Sequence, residues 1–301
     1  MNRRKFIQVA GAVSASILVS KQALADHAEH DHSQYESTGV VRDSEKMVGM
    51  EENEHHQNTM KKYSALAGGD KLVIGMLIYP GMFLQDLVGP LAMFEALMNR
   101  EIHLVWKDKN PVGNMDPKHP TIIPVAATTT FADCPKNLDV LFVPGGVPGT
   151  FAMMEDPEVL AFLKERGKTA KYITSVCTGS LILGAAGLLK GYKATSHWST
   201  LDTLSKLGAT PVNQRVVTDR NRITGGGVTA GLDFGLSIIA KLRNQTYAEA
   251  VQLYLEYNPQ PPFNAGSVAT APKEVVTFLE EMFTELKQTA DSTAMRAEKH
   301  I

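Results

Sequence analysis

In "SVCTGSLILGAAGLL", residues 175–189, a cysteine stands where an apolar run gives way to small residues. A side chain held between a strand and an immediately following helix sits on a sharp turn, and the residues two before and two after must be small to avoid collision. Ser175 and Gly179 meet that requirement around Cys177. The segment therefore reads as a nucleophile elbow, its thiol lifted to the carboxyl edge of a sheet and facing a helix N-terminus that favours the thiolate. The competing reading is a small buried hydrophobe, the usual state of an unpaired cysteine.

Three other segments belong to the same rim. "VPGG" ends a strand with Gly145 and Gly146. The N–H of Gly146, with that of Thr178, would form a hole for negative charge on an adduct. Asp86, in "YPGMFLQDLVGP", lies just past the first strand and before the helix containing Pro90. A carboxylate beside a thiolate is raised in pKa and can pass protons; the alternative is a turn or capping aspartate. His197, in "ATSHWST", either completes a Cys-His pair or caps the helix that starts near Ser199.

The elements that must position these residues alternate in type. "KLVIGMLIY", "IHLVW", "VLFVPGG" and "KYITSV" read as strands. "PLAMFEALMN", "PEVLAFLKERG", "TGSLILGAAGLL", "STLDTLSKLG", "TAGLDFGLSIIAKL" and "YAEAVQLYLEY" read as helices, with a terminal amphipathic helix from Pro272. "QRVVTDRNRITGG" reads as two short strands around a turn. Strand followed by helix, repeated, predicts an α/β fold with a doubly wound parallel sheet covered on both faces. "ITGGGVTAG" lacks the lysine of a phosphate-binding loop and the Rossmann spacing, so close helix-to-sheet packing is expected there. Trp106, Trp198 and Cys134 read as packing residues.

Length and charge frame this reading. The 301 residues suit one large domain plus extensions. Lys and Arg (30) nearly balance Asp and Glu (32), so no basic field recommends a nucleic acid. Residues 1–25 read as a twin-arginine export signal: Arg3-Arg4 before Lys5, Phe6 and Ile7, then an apolar middle, then Ala23-Leu24-Ala25 before Asp26. The apolar run is shorter than the roughly 20 residues of a bilayer span, so no stable membrane anchor is expected. This places the protein in a periplasm. Residues 26–70 form a polar, His-rich arm with no defined metal-ligand spacing, residues 71–290 the α/β domain and residues 291–301 a polar tail. Oxidising conditions raise the question of a Cys134–Cys177 disulfide, which a working thiol at Cys177 argues against.

Beyond these readings, residues from about 72 to 272 resemble the PfpI/ThiJ superfamily, with its flavodoxin-like, class I glutamine amidotransferase-like fold. The resemblance rests on "YPGMFLQDLVGP", "VLFVPGG", "SVCTGSLILGAAGLLKGYKATSHW", "DRNRITGGGVTAGLDF" and "VQLYLEYNPQPPFNAGS". The last is similar to a C-terminal signature of the isocyanide hydratases, whereas the first three are shared with the amidase-like domains of AraC-type regulators. The resemblance implies addition of water to an isocyanide. Cys177 is then the nucleophile, Asp86 the acid/base and Thr178 a neighbour holding the thiol's surroundings. It implies no cofactor, no metal and a homodimer. Asp86, where much of the superfamily has Glu, agrees with the hydratase branch; the leader and the arm depart from it. Two other classes stay open: a cysteine-dependent amidase or glyoxalase-like hydrolase using Cys177 with His197, and a non-catalytic periplasmic redox sensor or binding module.

Overall fold

A computed structural model describes residues 54–66, 68–115, 121 and 123–299. The expected leader, residues 1–25, and most of the arm lie outside the described residues. The chain divides into two compact units, Met1–Thr59 and Met60–Ile301. Across that boundary runs a helix, α1 (Glu54–Lys62), in a stretch whose sequence shows no apolar periodicity; it buries none of its residues.

The larger unit is built on strands whose apolar runs dictate burial on both faces. β1 (Leu72–Leu77), β4 (Val140–Val143), β5 (Tyr172–Val176) and β9 (Arg222–Gly225) are almost wholly buried. β2 (Arg100–Trp106), with its polar start, is buried only at its end. With β3 (Thr129–Thr130) and β8 (Val216–Asp219) they form one sheet in the order β3-β2-β1-β4-β5-β9-β8. Every pairing is parallel except that of β8 with β9, the predicted strand pair around a turn, where Asp219 faces Arg222. A two-stranded parallel ladder, β6 (Lys193–Ala194) with β7 (Thr210–Pro211), lies outside this sheet. The result is the doubly wound, flavodoxin-like architecture expected from the alternation. Because β1 leads to β2 on one side while its other neighbour is β4, the strand order reverses beside β1, and the crevice of such a fold opens at the carboxyl ends of β1 and β4.

Helices α2 (Leu84–Glu95), α3 (Gly149–Glu155), α4 (Pro157–Gly167), α5 (Gly179–Ala185), α6 (Ala230–Leu242), α7 (Gln245–Tyr254), α8 (Lys273–Met282) and α9 (Thr284–Glu298) accompany the sheet. Asp156 caps α4, accepting the N–H groups of Glu158 and Val159. "STLDTLSKLG" is helical but winds as a 3-10 helix, Trp198–Leu207, stopped by Gly208 at φ 75°.

Two expectations are corrected, on the start of α2 and on the end of the chain. Helix α2 begins six residues before Pro90, so Asp86 lies in its first turn rather than ahead of it. In "ITGGGVTAG" the expected close packing of helix on sheet is present, since a Cβ on Gly225 of β9 would come within 3.3 Å of Phe234 Cβ on α6, while one on Gly231 would come within 3.0 Å of Pro90 Cδ on α2. The expected terminal helix is two helices, and the expected polar tail from residue 291 is the second half of α9. Ala290, Thr293, Ala294 and Ala297 bury one stripe of α9, and Thr203 donates to Asp291 at 2.6 Å. Small residues at helical spacing let that face pack closely, while the overall polarity of the segment hides it.

Candidate active site

The elbow forms between β5 and α5. Cys177 has φ +54°, a conformation unusual for a residue with a Cβ. The backbone around it is fully engaged. The Cys177 N–H donates to the carbonyls of Gly225 (3.1 Å) and Gly226 (2.6 Å), and its carbonyl accepts from Ser180 Oγ (3.2 Å) and Ser196 Oγ (3.1 Å). The end of β9, the first turn of α5 and the loop before the 3-10 helix therefore hold the strained residue together. Gly179 is required sterically, since a Cβ there would stand 2.3 Å from the carbonyl oxygen of Val143 and 2.6 Å from that of Pro144.

Asp86 comes to the same place from α2. Its side chain is fully buried, and Oδ2 accepts from the Gly145 N–H at 3.0 Å. It is thus neither a turn nor a capping aspartate. Oδ1 has no partner of regular hydrogen-bond geometry, yet the carboxyl and the Cys177 thiol interact directly and each alters the other's ionisation. Burial raises the Asp86 carboxyl to about 6, against lowering contributions from Cys177 and the Gly145 N–H. Burial also pushes the Cys177 thiol well above its usual range; the Asp86 charge and its hydrogen bond add to this, and the Thr178 N–H and hydroxyl oppose it. The expected effect of the helix N-terminus is therefore outweighed. Desolvation and a neighbouring anion both push the thiol's pKa up.

Gly145 makes this convergence possible. A Cβ on it would lie 2.6 Å from Thr178 N, 2.7 Å from Thr178 Oγ1 and 2.8 Å from Asp86 Oδ2. Gly146, at φ +137°, does adopt the turn expected of it, but its N–H donates to Thr178 Oγ1 at 3.0 Å. The anticipated hole is corrected accordingly. Of its two donors, Gly146 is engaged inside the protein, and Thr178 meets the sulfur with its N–H and with its side chain. Thr178 Oγ1 is also 2.7 Å from Thr150 Oγ1, and Thr150 is 3.3 Å from the Tyr79 hydroxyl. Tyr79 and Thr150 escaped the sequence reading because an isolated tyrosine at a strand end and an isolated threonine carry no motif.

His197 does not join the thiol. Its Nδ1 lies 2.8 Å from Ser199 Oγ and accepts from the Ser199 N–H at 3.4 Å, capping the 3-10 helix, and its ring packs against Trp198 and Phe283. Burial lowers its pKa, favouring the neutral imidazole over the charged one. Both cysteines are free; Cys134 is buried, and its carbonyl accepts from Arg166 at 2.9 Å. Among the described residues no group of three or more His, Cys, Asp or Glu is arranged to hold a metal ion, and no helix is long and apolar enough to cross a membrane. A cleft of about 570 Å³ has Phe83, Leu84, Val125, Gly146 and Val147 in its wall and reaches the site through Gly146, whose N–H is bonded to Thr178; neither Cys177 nor Asp86 lines it.

Comparison with known proteins agrees with this geometry. The chain is 50% identical over 205 residues to the isonitrile hydratase of Pseudomonas putida, covering 68% of this chain and 87% of that one. It is similar to the crystal structure of a ThiJ/PfpI family protein from Pseudomonas syringae, with TM-score 0.71 and 57% identity over 75% of this chain and 91% of that one. Drosophila melanogaster DJ-1beta shares the fold at 20% identity, with TM-score 0.54 over 62% of this chain and 98% of that one. The DJ-1/PfpI family profile matches residues 73–241, a span that holds the elbow, its carboxylate partner and the glycine turn between them, and the chain belongs to that family.

Proposed function

We propose that this protein is an isocyanide hydratase, converting R–N≡C and water to R–NH–CHO. The observation that carries the reading is the buried Asp86 carboxyl, raised to about 6 and coupled to the Cys177 thiol. Its weight comes from the 50% identity to the Pseudomonas putida isonitrile hydratase. The terminal carbon of an isocyanide must gain both a nucleophile and a proton, and a thiol with a carboxylate beside it holds both.

In the first step the thiol proton passes to Asp86 as sulfur bonds to the isocyanide carbon, and Asp86 delivers that proton to the same carbon. The product is a thioimidate, R–N=CH–S–Cys177. Asp86, again a carboxylate, takes a proton from water as its oxygen adds to the carbon, and the nitrogen receives that proton. Loss of the hydroxyl proton then drives C=O formation and C–S cleavage, and the sulfur regains a proton through Asp86. Each proton transfer involves a group that titrates near neutral pH.

Replacing Cys177 with Ala should abolish hydration of an aryl isocyanide while leaving the far-ultraviolet spectrum unchanged. Retained turnover overturns the mechanism. In the same assay Asp86→Ala should cost orders of magnitude and His197→Ala only a few-fold. Equal losses would favour the hydrolase that pairs Cys177 with His197, a reading opposed by the His197 contacts with Ser199. A redox sensor needs an acidic, accessible thiol, whereas burial and the Asp86 charge push this one's pKa up. We also propose export by the twin-arginine route into a periplasm, supported by Arg3-Arg4 and the apolar stretch after them. A homodimer is proposed as well, supported by Leu253, Tyr254, Phe263 and Phe278, each more than 60% exposed.

A further inference from the structure

The carbonyls that receive the Cys177 N–H belong to Gly225 and Gly226, the first two of three successive glycines. The bond to Gly226, at 2.6 Å, is the shorter, and it holds a residue at φ +54°. A run of glycines has no side chains to anchor it and more backbone freedom to lose than any other residue type. Past β9 the loop 226–229 therefore needs anchors from elsewhere, and two of them come from one residue, Arg215, just ahead of β8. The Arg215 carbonyl accepts the Gly226 N–H at 2.9 Å, and its guanidinium donates to the Thr229 carbonyl at 2.9 Å. Arg215 thus holds the loop at both ends.

The guanidinium is itself fixed. Its Nε donates to Asp233 Oδ2 in the first turn of α6, and Asp233 Oδ1 accepts from the Tyr257 hydroxyl at 3.2 Å. Tyr257 belongs to "VQLYLEYNPQPPFNAGS", a segment to which the mechanism gives no task. A planar guanidinium grips a carboxylate and a carbonyl at once, in one fixed geometry. As an ion pair the contact adds little stability, because the Arg215 and Asp233 side chains are 53% and 36% exposed and solvent screens them. Its effect is on geometry. Beyond the loop, Gly231 packs against Pro90 of α2, the helix that carries Asp86. The contacts of Arg215 therefore lie between the support of the sulfur and the support of its proton partner.

We propose that Arg215, Asp233 and Tyr257 are positioning residues for the nucleophile: they clamp the loop 226–229, so that the Gly226 carbonyl keeps the Cys177 N–H, and with it the sulfur, in register with the Asp86 carboxyl. The inference rests on Cys177 and Asp86 being the reacting pair of the reaction above. It gives the C-terminal segment a task at the site, exerted through the loop. The titratable groups facing the sulfur are Asp86 from α2 and Tyr79 from the end of β1, and substitutions in the clamp remove neither.

The test is a double-variant cycle read by the pH dependence of Cys177 alkylation with iodoacetamide, in the full chain with Cys134 replaced by Ser. In the parent, Asp86→Asn removes the neighbouring anion and should lower the alkylation midpoint by about one pH unit. With the loop released by Arg215→Gln, the same Asp86→Asn change should lower it by less than half as much. Asp233→Ala should show the same loss of coupling, whereas Asp233→Asn, which still offers the guanidinium an acceptor, should keep the parent's shift. Equal shifts in the parent and Arg215→Gln backgrounds, or no shift in the parent, overturn the proposal. So does an Asp233→Asn protein that loses as much as Asp233→Ala, since the effect would then follow charge and not the clamp. If circular dichroism shows that Arg215→Gln does not fold, Tyr257→Phe, which removes the phenol's bond to Asp233, is read in the same way. Because alkylation needs no isocyanide, absence of hydratase turnover would sink the reaction while the cycle still decided the role of the clamp.

Discussion

Replacing Asp86 with Asn should stabilise the protein at neutral pH while destroying its proposed activity. Asp86 is fully buried, and its carboxyl is raised from 3.8 to about 6, chiefly by burial. In the unfolded chain the group loses its proton near the ordinary aspartate value. Between these two pH values the folded state holds a proton that the unfolded state does not. Stability therefore falls as pH rises from about 4 to about 6 and stays at the lower level above it. A tenfold change in proton affinity is worth about 1.4 kcal/mol, so ionised Asp86 costs the fold on the order of 3 kcal/mol at pH 8. An asparagine has no such cost, and its side-chain oxygen can still accept the Gly145 N–H. Urea unfolding of both proteins from pH 4.5 to 8, followed by tryptophan fluorescence, isolates this contribution because all other carboxylates cancel in the difference. The variant should gain on the wild type by on the order of 2 kcal/mol between pH 4.5 and 8, with most of the change complete by pH 6.5. A difference that stays flat across the range would refute the claim that Asp86 is held against its desolvation, and with it the source of a proton-passing group near neutral pH.

Gly179→Ala should destabilise the protein by at least roughly 1–3 kcal/mol in the same denaturation assay and depress isocyanide hydration, since the Cβ would meet backbone oxygens of Val143 and Pro144 that cannot swing aside. Charge introduced at Phe278 and Leu253, both strongly exposed, should convert a dimer to monomers by sedimentation velocity without unfolding the chain; a wild-type protein that sediments as a monomer at micromolar concentration overturns the dimer.

The elbow was legible because it is a local object: a strand, a cysteine and small residues two positions to either side. The sheet was legible for the same kind of reason, since apolar runs alternating with helical spacing leave a parallel arrangement as the way to bury both faces. Helix α2 was placed too late because Pro90 looks like a start signal, yet it is accommodated within the helix. The end of the chain was misread because Ala290, Thr293, Ala294 and Ala297 form a packing stripe too weakly hydrophobic to stand out. His197 had two readings of equal standing, and its contacts with Ser199 favour the cap.

Taken by itself, the sequence determined which residue could act as a nucleophile and that a carboxylate and a glycine turn would share its rim, because strand ends and sharp turns are set by neighbours along the chain. Tertiary structure alone decided the upward pKa shifts of Asp86 and Cys177, the engagement of the Gly146 N–H by Thr178, and the hydroxyl contacts through Tyr79 and Thr150. These depend on how little water reaches Asp86 and Cys177 and on contacts between residues 28 to 71 positions apart. Desolvation and hydrogen-bond direction are properties of packed space, and no local pattern of residues encodes them.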